Sequence, residues 1–259
     1  MNIHTQNSQK LSVIIPCHNA EKSIAKCLQS VRWADELLVV DSYSTDRTLE
    51  IAGNFTDRII QHEYENSAQQ KNRAIPRAEY DWVLIVDSDE QVSSALADEI
   101  QQLLQRGPDR EGYWIYRRNY LMGKRIRHSG WGRDKVLRLF RKDRGRYSNK
   151  RVHAEVELEN TGTLAGRIDH HSISNMTEWV SKIDRYSSWK AEDKFQKKTR
   201  MPVLHLLFRP PFRFLKDFIL RLGFLDGWRG LLIAIMSAYA ELIMSAKLIR
   251  LTYAKRHHD

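Results

Sequence analysis

Apolar positions gather early in the chain into short unbroken runs. LSVIIP (11–16), ELLVVD (36–41) and WVLIVD (82–87) are rich in β-branched residues and end on Pro or Asp, so each predicts a buried strand, and RII (58–60) predicts a shorter one. Between the runs the period changes. Ile24, Cys27, Leu28 and Val31 share one face of a helix over Ala20–Val31. STDRTLEIA (44–52) opens a helix with a Ser/Thr/Asp cap region, SAQQKNRAIPRA (67–78) is helical as far as Pro76, and Leu96 to Leu104 repeats the amphipathic spacing. Strands alternating with helices imply parallel βαβ units, so residues 11–104 predict an α/β fold with a doubly wound, mainly parallel sheet.

After residue 112 the period shortens. YWIYRRNYLMG, KVLRLFR and VHAEVELE alternate like antiparallel strands and predict an extension of the sheet, and from Thr177 the chain turns helical. A composition break at 196–203 (QKKTRMPV) reads as a hinge, dividing a catalytic body (1–195) from a helical tail (196–259). In the tail Phe214, Leu215, Phe218, Ile219 and Leu222 form a stripe opposed by Arg213, Lys216 and Arg221. LLIAIMSAYA (231–240) is interrupted by Glu241 and Lys247 before the roughly 18–20 residues a bilayer span needs, so an amphipathic helix in the membrane interface is expected, or packing on the body or a second subunit of a homo-oligomer.

Charge sharpens this division. Of the net +10, residues 190–259 supply +8, from 14 Lys/Arg against 6 Asp/Glu, leaving the first 189 residues with only +2. A near-neutral body with a basic, aromatic tail points to a polyanion touched by the tail alone. A nucleic-acid binder would line a groove with alternating basic and aromatic residues. Here the basic residues sit on helices with a broad apolar face, which favours an anionic membrane and argues against nucleic acid. A 42% hydrophobic, 29% charged chain is globular, and two cysteines provide neither a disulfide framework nor structural zinc. The opening MNIHTQNSQK lacks the apolar stretch of a signal peptide, so a cytoplasmic location is expected.

Candidate chemistry lies at the carboxyl ends of the parallel strands, where such sheets bind ligands. PCHNAE (16–21), DSYSTD (41–46) and DSDE (87–90) all fall there. Asp and Ser often end strands and open turns without further purpose, which would explain one such cluster. Three in succession point to a nucleotide site, with Asp87 and Asp89 suited to a hard divalent cation against a diphosphate.

The order and spacing of VIIPCHNAEKSIAKCLQSV, ADELLVVDSYSTDRTLEIA and KNRAIPRAEYDWVLIVDSDE resembles the family 2 inverting glycosyltransferases of the GT-A fold. KVLRLFRKDRGRYSNKRVHAEVE, followed by RIDHHSISNMTEWVSKIDRYS, is similar to the lipopolysaccharide-core β-glucosyltransferase branch. The resemblance implies a UDP-sugar donor, Mg²⁺ or Mn²⁺, and a lipid-linked saccharide acceptor at the inner face of the cytoplasmic membrane; a polyprenyl phosphate or a protein is the alternative acceptor. It implies that Pro16 to Glu21, with His18 and Asn19, hold the uridine, that Asp41 accepts from the base, and that Lys71, where the family usually has Arg, lies near the nucleotide. Asp87 and Ser88 fall beside the ribose, Asp87 and Asp89 at the metal, and His170, rather than the adjoining His171, completes its coordination.

Inverting transfer needs a carboxylate to take the acceptor proton. Glu155 in VHAE (152–155) is the candidate, although the branch often joins His to Glu directly and Ala154 intervenes here. Glu155, Glu157 and Glu159 also alternate as an exposed strand face would, and Asp134 is the next candidate. Arg138 and Arg141 suit either a diphosphate or solvent. Trp131, in SGWGRD, is either part of an acceptor-side loop or a packed aromatic.

Overall fold

The structure, a computed structural model, describes residues 8–148, 154–173, 175–197 and 202–256. Val152 and His153 of the VHAE run and positions 198–201 of the expected hinge lie outside the described residues. The elements run β1 (Leu11–Cys17), α1 (Ile24–Ser30), β2 (Glu36–Asp41), α2 (Thr48–Gly53), β3 (Ile59–Gln61), α3 (Ser67–Ala74), β4 (Trp82–Ile85), β5 (Glu90–Val92) and α4 (Ser94–Arg106). They continue with β6 (Gly112–Leu121), β7 (Lys124–Arg125), β8 (Lys135–Arg141), β9 (Thr161–Ile173), α5 (Met176–Gln196), α6 (Pro202–Leu215) and α7 (Trp228–Arg256).

One sheet has the order β3-β2-β1-β4-β8-β6-β9-β5, with β7 folded back on β6. β3, β2, β1 and β4 pair in parallel, whereas β8 joins β4 and β6, and β5 joins β9, antiparallel. The expected parallel sheet with an antiparallel extension is therefore present. β1, β2 and β4 are buried throughout because helices cover both faces. Val13, Ile15 and Leu84 pack with Ile24, Leu28, Leu96 and Ile100 on one side. Ile14, Leu38, Val83 and Ile85 pack with Ala68, Ala74 and Phe140 on the other. Cys17 aligns with Asp41, and Ile14 with Ile85, so the loops after β1, β2 and β4 leave the same edge.

The run VHAEVELE does not form the expected strand: among its described residues only Val156 bridges, to Tyr147. Val156 reaches the core, whereas Glu155, Glu157 and Glu159 face solvent. The next strand, β9, carries both His170 and His171.

The chain divides into two compact units, residues 1–118 with 134–171, and residues 119–133 with 172–259. The division at 195/196 thus falls inside the second unit, whose core joins Trp179 and Ile183 of α5 to Ile233 and Met236 of α7. Cutting the chain after residue 200 would strip α5 of those partners. Trp131 packs in the same core against Trp179, with ring centroids 6.4 Å apart, which decides for a packed aromatic.

Helix α7 runs unbroken through Glu241 and Lys247 and is, by length and composition, apolar enough over Trp228–Ala254 to cross a membrane. Neither charge ends it, since Glu and Lys are good helix formers, and each has an ion-pair partner within the unit. Arg209 lies 3.7 Å from Glu241, and the Lys247 ammonium donates to the Asp184 carboxylate at 2.6 Å. The expected stripe over 213–222 is also altered. Helix α6 gives way to a π turn at Lys216–Leu220, and the buried Asp217 accepts from Arg213 at 2.7 Å and Arg221 at 3.0 Å. Two of the three cations opposing the stripe are thereby engaged within the unit. Phe214 stacks on Phe218, while Ile219 and Leu222 remain exposed.

Candidate functional site

The site begins where β1 and β2 end together. Asp41, fully buried, accepts from the Ser44 N–H and from Gln61 Nε2, each at 2.9 Å, and from the Ser44 hydroxyl. The Asn19 N–H donates to Ser44 Oγ at 2.8 Å, and Asn19 Oδ1 accepts from the Thr45 N–H at 2.8 Å. Asn19 takes a left-handed φ of 49°, a conformation Asn tolerates better than most residues. The Glu21 N–H donates to Asp46 at 3.1 Å, and His18 Nδ1 lies 2.9 Å from the Ser42 carbonyl. Pro16 is buried at the end of β1, so the 16–21 and 41–46 loops are fixed to each other, with His18 and Asn19 at the surface.

Beyond β4 the charges concentrate. Asp87 pairs with Lys71 Nζ at 2.8 Å through one oxygen and with Arg138 through the other. Arg138 also reaches Glu90 at 3.2 Å, and Glu90 accepts from the Asp87 N–H at 3.0 Å and from Arg117 at 3.3 Å. Glu90 is fully buried, and Lys71 and Arg138 nearly so. Burial alone would raise the Asp87 carboxyl, but the Arg138 and Lys71 charges hold it well below the usual carboxylate range. Burial would likewise lower the Arg138 guanidinium, yet Asp87 and Glu90 raise it. The Lys71 ammonium stands 5.3 Å over the Tyr147 ring, and Asn72 fixes Tyr147 through two backbone hydrogen bonds of 2.9 Å.

Ser88 follows Asp87, and Asp89 next presents a carboxylate oxygen 3.6 Å from His170 Nε2. The Asp89 carbonyl is held separately by the His171 N–H at 2.9 Å. Glu90 and His170 are register partners of β5 and β9, which sets His170, not His171, beside Asp89. Burial would lower the His170 imidazole, but Asp89 raises it on balance, whereas His171 is lowered, chiefly by burial.

No group of three metal-binding side chains is assembled among the described residues. The partly open Asp89–His170 pair nevertheless fits a hard cation that keeps substrate phosphates among its ligands, as Mg²⁺ commonly does. The Asp87 oxygens each face a protein cation instead.

Glu155 is exposed, and its carbonyl accepts from the Ser148 N–H at 3.0 Å, next to Tyr147. No hydrogen bond or ion pair among the described residues joins its carboxylate to the Asp87–Asp89–His170 group. Asp134 pairs with Arg117 at 2.6 Å. Arg141 pairs with Asp143 at the surface at 3.0 Å, so the two arginines of β8 divide, Arg138 buried at the site and Arg141 solvated. Sequence reading missed Glu90, Arg117 and Tyr147. Of these, only Glu90 carried a signal, as the last residue of DSDE.

Replacing Arg138 with Met should lower unfolding stability by about 3–5 kcal/mol, the cost of leaving buried carboxylates short of a partner. Urea unfolding measures it, and a loss under about 1 kcal/mol would show that this network adds little.

The family model for glycosyl transferase family 2 matches residues 12–171. The lipopolysaccharide core biosynthesis glycosyltransferase LpsC of Rhizobium meliloti is 31% identical over 95% of this chain and 91% of its own. A glycosyltransferase of Rickettsia typhi is 28% identical over 96% of this chain and 90% of its own. Among solved structures, the S. aureus TarS 1–349 complex with UDP-GlcNAc superposes with a TM-score of 0.49 at 16% identity, covering 95% of this chain and 92% of that one.

Proposed function

This chain belongs to glycosyl transferase family 2, and from that premise we propose that it moves a hexose, glucose, from a UDP-sugar to a saccharide of the lipopolysaccharide inner core. The observation that carries the reading is the strand-end cluster, in which Asp89 meets His170 beside an Asp87 locked by Lys71 and Arg138. A lipopolysaccharide-core acceptor rests on the relative that matches nearly the whole chain.

Asp89 and His170 would hold Mg²⁺ or Mn²⁺, which when bound offsets the charge of the departing diphosphate. Asp87, kept ionised and immobile, accepts from the ribose hydroxyls, with Ser88 alongside. The loop from Pro16 through His18 and Asn19 to Glu21 cradles the uridine, and Asp41, which holds the Ser44 turn, is the acceptor for the base. Glu155 takes the proton of the acceptor hydroxyl as that oxygen bonds to the anomeric carbon. The bond from this carbon to the diphosphate oxygen breaks on the opposite face, so configuration inverts without a covalent intermediate.

A panel of UDP- and GDP-sugars with a divalent metal, assayed for nucleotide release with and without truncated core lipid, tests the reading. Release of UDP from UDP-glucose that depends on core lipid is expected. Preference for another sugar overturns the donor assignment, and indifference to core lipid overturns the acceptor.

The second unit would hold the enzyme at the membrane. Phe208, Phe212 and Leu220 are 67%, 61% and 71% exposed, and Leu207, Leu225 and Trp228 are exposed as well. Exposed large apolar side chains in such number suit an interaction site. Each such side chain would contribute roughly 1.5–3 kcal/mol if fully buried in the acyl boundary. Phe208→Glu with Phe212→Glu should therefore abolish sedimentation with anionic vesicles, while high salt weakens the parent chain only partly, because apolar burial is unscreened. Unchanged sedimentation would sink the membrane role, and a drop in oligomer size would make the surface a subunit interface.

A further inference from the structure

Strands β4 and β5 are separated in sequence by residues 86–89 alone, yet β8, β6 and β9 lie between them in the sheet. So short a link joins them only because the sheet curls. The link carries Asp87, Ser88 and Asp89, the residues assigned above to ribose and metal. What holds it in place therefore decides where those side chains stand.

Glu90 closes the link twice. Its N–H donates to the Asp87 carbonyl at 2.8 Å, making 87–90 a turn with Ser88 and Asp89 at its centre, and its Oε2 accepts from the Asp87 N–H at 3.0 Å. The same carboxylate also reaches two other strands. Its Oε1 accepts from Arg117 of β6 at 3.3 Å and from Arg138 of β8 at 3.2 Å. The Arg138 nitrogen that makes this contact also holds the Asp87 carboxylate, and Arg117 is anchored by Asp134 at 2.6 Å. Register places Glu90 opposite His170, and the His171 N–H binds the Asp89 carbonyl at 2.9 Å.

Stability alone explains this arrangement poorly. Glu90 is fully buried, and stripping water from a carboxylate and its guanidinium partners offsets most of their attraction. An apolar side chain on β5 would fill the volume without that cost. What the carboxylate supplies is direction: its two oxygens take donors from three separate stretches of chain, the Asp87 backbone, β6 and β8.

We propose that Glu90 is the positioning residue of the donor site. Acting through the Asp87 backbone and Arg138, it holds the 87–89 link so that Asp87 faces the ribose while Asp89, with His170, faces the metal. This role presupposes that the site binds a nucleotide-sugar donor.

Mn²⁺ titration of the full chain with UDP, followed by electron paramagnetic resonance of the free ion, tests it beside steady-state transfer and urea unfolding. Glu90→Gln keeps the shape and one acceptor oxygen but removes the charge. It should weaken Mn²⁺ binding about tenfold or more, the usual effect of losing a group that orients metal ligands. It should also lower kcat on the order of 10²-fold, as a displacement of about 1 Å can, and leave the KM for the acceptor unchanged. If that variant fails to fold, Arg117→Gln decides, since Arg117 touches Glu90 but is only one of its partners. It should weaken Mn²⁺ binding in the same direction, by a smaller factor. A Glu90 that merely stabilises the fold would lower the urea midpoint and leave Mn²⁺ affinity and the kcat of folded enzyme at parent values. That result in the folded variants would overturn the proposal. Absence of UDP-dependent Mn²⁺ binding in the parent chain would instead overturn the donor-site reading, and the role of Glu90 with it.

Discussion

Asp89→Asn is expected to lower glycosyl transfer on the order of 10³-fold or more while leaving the unfolding transition in place. A metal-held diphosphate contributes several kcal/mol to transition-state stabilisation, and each 1.4 kcal/mol is tenfold in rate. The amide keeps the shape of the side chain but removes the charge that faces His170 at 3.6 Å. Stability should hold because the Asp89 backbone is anchored independently, by the His171 N–H on its carbonyl, and its carboxylate is partly open to solvent. Chelation with EDTA should reproduce the loss in the parent enzyme and be reversed by added Mg²⁺ or Mn²⁺. Full transfer in EDTA would remove the metal from the mechanism, and calorimetric titration with UDP would then show whether Asp89 acts on the nucleotide alone.

Glu155→Gln should cut turnover by roughly 10²–10⁴, the range that loss of a general base usually costs. The substitution is nearly isosteric at an exposed position held through its backbone by Ser148 and the Tyr147–Val156 bridge, so folding should be unaffected. Affinity for UDP should be unchanged, because the proton is taken from the acceptor. Near-normal turnover would move the base elsewhere. Asp134 is next in line, although it already pairs with Arg117.

The two variants differ in how far the sequence could reach. Asp89 stands in a motif at the end of an apolar run, and both its place there and the family resemblance assign it to the metal. Glu155 follows from chemical need together with resemblance, in a run whose alternation predicts a strand but whose described residues hold a single bridge. Local periodicity fails there because a strand exists only if another strand offers it partners, and among the described residues only Tyr147 offers one, to Val156.

What the sequence determines alone is whatever depends on local period and chain order. The unbroken apolar runs of β1, β2 and β4 require burial on both faces, the amphipathic helices between them supply the cover, and Pro16, Asp41 and Asp87 mark where those strands stop. Residues facing each other across long stretches of chain are decided by tertiary structure. Register between β5 and β9 brings His170 to Asp89, and pairing of β4 with β8 carries Arg138 to Asp87 while its neighbour Arg141 stays in solvent. Glu241 and Lys247 looked like the end of an apolar helix and are instead matched by Arg209 and Asp184. In each case the sequence shows a charge, but its energy depends on which opposite charge the fold brings within about 4 Å and how much water it excludes from the pair.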